Sequence, residues 1–245
     1  MSHLTSPKST TAGRVTGTGV GVPGYAHPLL APREWADLAR PGAPLHWVVL
    51  NVANGPGTRL DPACLQATTR LRTAGVRVLG HLPPTRTPLS TRSTASPYLD
   101  WYDVDGFYLD HCPTDRATLP EIRRTITALR ALRDDAHIVL GHDSHPHPGY
   151  ADLADQLVTY RGPWSDYRWS QVAEWTADHP PERFCHFVHG VPRGHLEEAL
   201  RLARWQGAAT IYFTDRVPRT GTSPWETVPG YWDEFVSRVG TGVSE

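Results

Sequence analysis

The stretch Val104-Asp105-Gly106-Phe107-Tyr108-Leu109-Asp110-His111 decides the fold. It is an apolar, β-rich run that ends in two ionisable groups, the pattern of a buried parallel strand whose carboxyl end carries chemistry. Side chains alternate along a strand, so an inward Asp110 shares its face with Tyr108 and Gly106, while Leu109 and Phe107 face the other layer. A carboxylate closing so apolar a strand costs free energy unless it is paired or used. Asp110 is therefore read as functional, with His111 beside it as a second proton-transfer candidate.

The same grammar recurs on both sides. Apolar, β-branched runs occupy residues 17–22, 46–51, 76–81, 104–110, 137–141, 155–160, 184–189 and 208–214. The clearest helical segments between them are 61–74, 118–133 and 193–206; the last carries Leu196, Leu200 and Ala203 on one side and Arg and Glu opposite. Alternating strands and helices give a parallel sheet covered on its outer face. Eight such units in 245 residues match a (β/α)8 barrel, which typically needs about 250. The expected fold class is thus α/β, a single-domain TIM barrel over residues 17–240, with a disordered N-terminal tail at 1–16 and a short tail at 241–245. A doubly wound open sheet is the alternative, but Gly17-Thr18-Gly19-Val20-Gly21-Val22 places its glycines inside an apolar run rather than in a phosphate-binding turn, and no P-loop pattern occurs. The Pro- and Thr-rich stretch 83–97 reads as a loop replacing the third helix, and as a candidate specificity loop.

A formal net charge of −1 gives no electrostatic case for nucleic acid or an acidic membrane as partner. Residues 1–16 hold no apolar core of signal-peptide length and no run is long enough to span a bilayer, so a cytoplasmic location is expected. Lys8 is the sole lysine and Met1 the sole methionine, a usage that suggests a high-GC bacterium. Cys64, Cys112 and Cys185 are odd in number and lack metal-type spacing, which supports neither a disulfide framework nor a zinc finger. Cys112 lies beside Asp110, but a half-buried thiol is preferred to a nucleophile, which would need an activating partner.

In a barrel the carboxyl ends of the strands converge on one rim. Read in order they supply Tyr25 and His27, Asn51 and Asn54, His81, Asp110 and His111, His142 and Asp143, Tyr160 and Arg161, His186 and His189, then Thr214 and Asp215. Of the 13 histidines, His27, His81, His111, His142 and His189 fall at or just past strand ends, which points to a polar reaction centre. Plainer readings stand beside these. Asn51 and Asn54 flank Gly55-Pro56-Gly57 and are equally well explained as turn caps, Asp215 as the cap of the next segment, and His186 as a hydrogen-bonded core residue. His142-Asp143-Ser144-His145-Pro146-His147 superficially suggests a metal site, but neither H-x-H on the first strand nor H-E-x-x-H on a helix is present, so no metal and no cofactor are expected.

Gly21-Val22-Pro23-Gly24-Tyr25-Ala26-His27-Pro28, Val49 to Gly57, Gly75 to Gly80, Trp101-Tyr102, Asp105 to Asp110, Leu157 to Tyr160, Trp164 to Tyr167, His189 to Pro192, Tyr212 to Asp215 and Pro229 to Trp232 together resemble, in order, the spherulation-specific (spherulin 4) family. The resemblance implies a glycoside hydrolase-like TIM barrel, in a family whose enzymes act on amino-sugar polymers such as galactosaminogalactan. It also implies a fourth strand ending in Asp-Glu and a sixth ending in an aromatic residue followed by Glu. Here Asp110 keeps the aspartate, while His111 and Arg161 stand in place of the two glutamates. The third-strand end reads His81-Leu82-Pro83-Pro84, and the fifth reads His142-Asp143-Ser144 where the family has Asn-Pro-Gly.

Glycoside hydrolysis usually needs two carboxyl groups flanking the scissile bond, and arginine cannot donate the proton. The favoured expectation is therefore an enzyme on a repurposed glycosidase-like barrel that performs acid/base chemistry (elimination, isomerisation, cyclisation or hydrolysis) on a small anionic metabolite of specialised metabolism. Asp110, His111, His142 and Asp143 are its candidate catalytic residues. Tyr25, His27, Asn51, His81, Tyr108, Tyr160, Arg161, His189 and Asp215 are its candidate substrate contacts, with Arg161 as a bidentate anion clamp. Two alternatives remain: a glycoside hydrolase using Asp110 with a second carboxylate such as Asp143, and a non-catalytic sugar-binding barrel in which Trp164, Trp169 or Trp225 stack on the ligand.

Overall fold

The computed structural model describes residues 17–24, 26–83 and 87–240. The expected tails at 1–16 and 241–245 and the candidate contact Tyr25 lie outside the described residues. Eight parallel strands, β1 (Gly19–Val22), β2 (Leu45–Leu50), β3 (Arg77–Leu82), β4 (Gly106–Leu109), β5 (His137–Gly141), β6 (Gln156–Pro163), β7 (Phe184–His189) and β8 (Thr210–Phe213), pair in sequence order and close β8 onto β1. The helices are α1 (Pro32–Leu38), α2 (Pro62–Thr73), α3 (Pro88–Tyr102), α4 (Leu119–Arg130), α5 (Trp164–Tyr167), α6 (Leu196–Trp205) and α7 (Trp232–Gly240). The chain is a (β/α)8 barrel in which a single 3-10 turn, Pro148–Tyr150, stands between β5 and β6. Among the described residues no helix is long and apolar enough to cross a membrane.

The interior is recognised by contacts between strands that are not neighbours. Trp47 of β2, Tyr108 of β4 and Phe187 of β7 meet with ring centroids 5.9–6.4 Å apart. Trp47 Nε1–H donates to Gln156 Oε1 at 2.7 Å, which satisfies the one polar atom of the buried indole. Gly21 makes room for this layer: a Cβ there would lie 2.5 Å from the Trp47 ring. The outer faces of the strands pack on the apolar stripes of the helices, such as Ile122, Ile126 and Leu129 of α4.

The helix ends follow local chemistry. Asp61 caps α2 by accepting from Ala63 N and Cys64 N, and short 3-10 turns, Arg116–Thr118 and Arg193–His195, lead directly into α4 and α6. One expectation fails: most of the stretch 83–97 is helix, not loop, because α3 begins at Pro88 and continues through Pro97 to Tyr102. Thr87 and Pro88 are in fact a start signal, a capping hydroxyl followed by a pre-set φ, and the Thr87 side chain accepts from Ser90 N. Packing then overrides the poor propensities. Ala95, Tyr98 and Tyr102 are buried, and the Tyr98 hydroxyl donates to Leu50 O at 3.0 Å.

Candidate active site

Asp110 directly follows β4, with its backbone N–H bonded to Leu82 O at 2.9 Å. The next residue, His111, has φ +48, a left-handed conformation that costs ~1–3 kcal/mol in a non-glycine residue and turns the chain sharply off the strand. That turn lets His111 N–H donate to Asp110 Oδ1 at 3.0 Å and leaves the imidazole largely exposed. From β3, His81 reaches Asp110 Oδ2 at 3.2 Å; a carboxylate only accepts, so Nε2 of His81 carries the proton in this contact.

Arg161 arrives by a less regular route. Alternation from Gln156, which faces the interior, would turn Arg161 outward. The register of β6 against β7 shifts between Val158 and Tyr160, a bulge that reverses the facing of the later residues of β6. Arg161 therefore points inward, donating to the Tyr108 hydroxyl and placing Nη1 2.8 Å from Asp110 Oδ1 and 3.6 Å from Asp143 Oδ1. Tyr160 turns outward instead, its ring 4.7 Å from that of Tyr167 and its hydroxyl donating to Pro163 O. Gly141 is required by this packing, since a Cβ there would lie 2.4 Å from the Tyr108 hydroxyl.

The structure thus gathers His81, Tyr108, Asp110, His111, Asp143 and Arg161 into one constellation. Burial alone would raise the Asp110 pKa, but the His81 hydrogen bond and the Arg161 charge outweigh it and hold the carboxyl well below the usual carboxylate range. Asp110 is thereby a fixed, ionised acceptor. Asp143 and His111 form the solvent-facing side, with Oδ2 to Nδ1 at 3.4 Å and side chains 62% and 57% exposed.

The other candidates have different partners. His142 is buried, its Nδ1–H donating to Cys112 O at 3.1 Å, and burial pulls its pKa down to about 4. Asn51 Oδ1 accepts from Gly55 N–H, the turn-cap role, and Asp215 Oδ1 accepts from Gly230 N–H. His189 packs edge-on to Trp225, 5.7 Å between centroids, and His186 is a buried core residue held by Tyr167 and Thr159. His27 pairs with Asp61 and Cys64 rather than with Asp110. Burial pushes the Cys112 thiol up to about 12. Trp164 and Trp225 are buried packing residues, whereas Trp169 is 79% exposed. Sequence reading missed Gly141 and the bulge in β6; the only signal was a glycine closing an otherwise apolar strand.

A cavity of about 870 Å³ lies elsewhere, lined by His46, Trp47, Arg77, His137, Gln156 and Glu182 among others. These residues sit at or near the amino ends of β2, β3, β5, β6 and β7, so the cavity opens at the end of the barrel opposite Asp110. The Asp110 constellation lies at the carboxyl end, where the loops of (β/α)8 enzymes generally carry the reacting groups.

The sequence profile of spherulation-specific family 4 matches residues 19–239. No curated protein sequence matches the chain. Among solved structures, Aspergillus clavatus Sph3 in complex with GalNAc superposes with a TM-score of 0.79 at 23% identity, over 92% of this chain and 98% of that one. The glycoside hydrolase domain of a PelA variant from Pseudomonas aeruginosa gives 0.52 at 13%, over 86% and 97%. Orotidine 5'-monophosphate decarboxylase from Methanocaldococcus jannaschii gives 0.51 at 11%, over 91% and 99%. At these identities the likeness establishes the barrel, a fold that hosts unrelated chemistries.

Proposed function

The chain belongs to spherulation-specific family 4, and from that premise we propose that it is a carbohydrate-directed acid/base enzyme working at the carboxyl end of the barrel around Asp110. One observation carries the reading: a buried carboxylate held ionised by Arg161 and His81, with the exposed His111–Asp143 pair beside it. A fixed anion of this kind stabilises positive charge that develops on a substrate, as at the anomeric carbon of a departing glycoside. It is a poor proton donor. The proton for a leaving group, or its removal from a hydroxyl, falls to His111 or Asp143, the two exposed groups beside that anion. The similarity to Sph3 bound to GalNAc supports an N-acetylhexosamine or amino sugar as the ligand class.

The test is binding and turnover of GalNAc and galactosamine-containing oligosaccharides by the purified chain. Saturable binding with product release, reduced a hundredfold or more in Asp110→Asn, is the expected result. Binding without turnover would make it a sugar-binding barrel instead. No binding, or binding and turnover untouched in Asp110→Asn, would overturn the reading.

A second reading, an enzyme of specialised metabolism that recruits a small anionic metabolite, rests on Arg161. That guanidinium is already engaged by Asp110, Asp143 and Tyr108, so an incoming anion would have to take the place of the Asp143 carboxylate, the longer and more exposed contact. This reading requires carboxylated sugars or acids to bind more tightly than neutral ones, and more tightly still in Asp143→Asn.

A further inference from the structure

His27, Asp61 and Cys64 are brought together outside the constellation at Asp110. His27 lies in the loop after β1, Asp61 is the N-cap of α2, and Cys64 sits in its first turn. One ligand atom from each lies within 4.8 Å of the other two, with His27 Nε2 3.3 Å from Asp61 Oδ2 and 3.5 Å from Cys64 Sγ. We propose that these three side chains bind a divalent transition-metal ion of the zinc class, tying the first and second rim loops together.

Four features support the assignment. In a tetrahedral zinc site with bonds of about 2.0–2.3 Å, neighbouring ligand atoms stand about 3.3–3.6 Å apart, which is the spacing of both His27 contacts, while the Asp61 and Cys64 atoms lie within 4.8 Å of each other. The Asp61 carboxylate is pre-oriented: Oδ1 accepts from Ala63 N–H and Cys64 N–H, leaving Oδ2 turned toward His27. One thiolate and one carboxylate balance a divalent charge, and sulfur with imidazole selects zinc-like ions over magnesium or calcium. Finally, Cys64 is buried while His27 and Asp61 are 23% and 30% exposed, so an ion has an approach from solvent.

The proton balance is explicit. In the metal-free arrangement Leu29 N–H donates to His27 Nδ1, so Nε2 carries the imidazole proton and points at Asp61. Binding moves that proton to Nδ1, gives up the exposed Leu29 contact, and releases the Cys64 thiol proton to solvent.

Cobalt(II) is the probe, titrated into the full chain and followed by absorption. One equivalent should produce the intense visible bands of a four-coordinate ion together with a near-ultraviolet thiolate-to-cobalt charge-transfer band, both displaced by zinc. Cys64→Ala should remove the near-ultraviolet band, and Cys112→Ala should keep it. His27→Gln and Asp61→Asn, the latter retaining the helix cap, should each weaken binding roughly tenfold or more while the fold persists by circular dichroism. Absence of the near-ultraviolet band in the folded wild type, its survival in Cys64→Ala, or unchanged affinity in both His27→Gln and Asp61→Asn would overturn the proposal. Those last two variants keep the test decisive even if Cys64→Ala fails to fold.

Discussion

Arg161 Nη1 stands 2.8 Å from Asp110 Oδ1 at the barrel mouth, with the two side chains only 10% and 9% exposed. A pair so buried is fragile toward loss of one partner. Arg161→Ala should destabilise the chain by about 3–5 kcal/mol, because the ionised Asp110 is left without its countercharge. Adding Asp110→Asn should restore part of that loss. Denaturant titrations of the two single variants and the double variant measure the coupling, and additive effects would show that the pair is not a unit.

Acid should act through the same carboxylate. Its folded pKa lies below the value of about 3.9 expected in the unfolded chain, so the stability it contributes is present above that value and is lost as pH falls through the folded one. Below about pH 4 the wild type should therefore lose stability more steeply than Asp110→Asn, by up to about one proton's slope. Unfolding curves between pH 5 and 2 provide the comparison.

A separate pH window belongs to three histidines, one partly and two fully buried. Burial lowers the pKa of His46 and His142 to about 4 and of His186 to about 3. Unfolded imidazole titrates near about 6.5, so the stability from keeping these rings neutral is present above that pH and is lost as pH falls from there through the folded values. Each contributes a slope of up to about 1.4 kcal/mol per pH unit. His142→Gln should reduce the slope between about pH 6 and 4 by one proton, a change that stability measurements at three pH values would resolve.

Gly141→Ala tests the packing that aims Arg161. The new methyl would meet the Tyr108 hydroxyl at 2.4 Å and Arg161 Nη2 at 3.1 Å, and Tyr108 is fully buried against Trp47 and Phe187. We expect a loss of about 1–3 kcal/mol by overpacking. A crystal structure of the variant should show Arg161 displaced from Asp110, and an undisturbed ion pair would contradict this account of how the side chain is held.

Much of this molecule was determined by the sequence alone. Eight apolar runs alternating with amphipathic segments specify a closed parallel barrel, because strand and helix periodicities are local properties of the chain. The same logic puts Asp110, His81 and Arg161 at strand ends on one rim, and the family motif agrees with it at Asp110. Tertiary structure decided the rest. Whether Tyr160 or Arg161 faces the interior depends on a one-residue shift of β6 against β7, which no pattern within β6 records. Whether 88–97 is helix depends on Tyr98 and Tyr102 finding buried positions against the barrel, which outweighs an unfavourable Pro and Thr content. His27 was read into the central ring because it comes just after a strand, yet it pairs with Asp61 and Cys64 across two loops. Partner choice among polar groups is set by the three-dimensional closure of the barrel, where the cost of burying charge selects pairs that lie far apart along the chain.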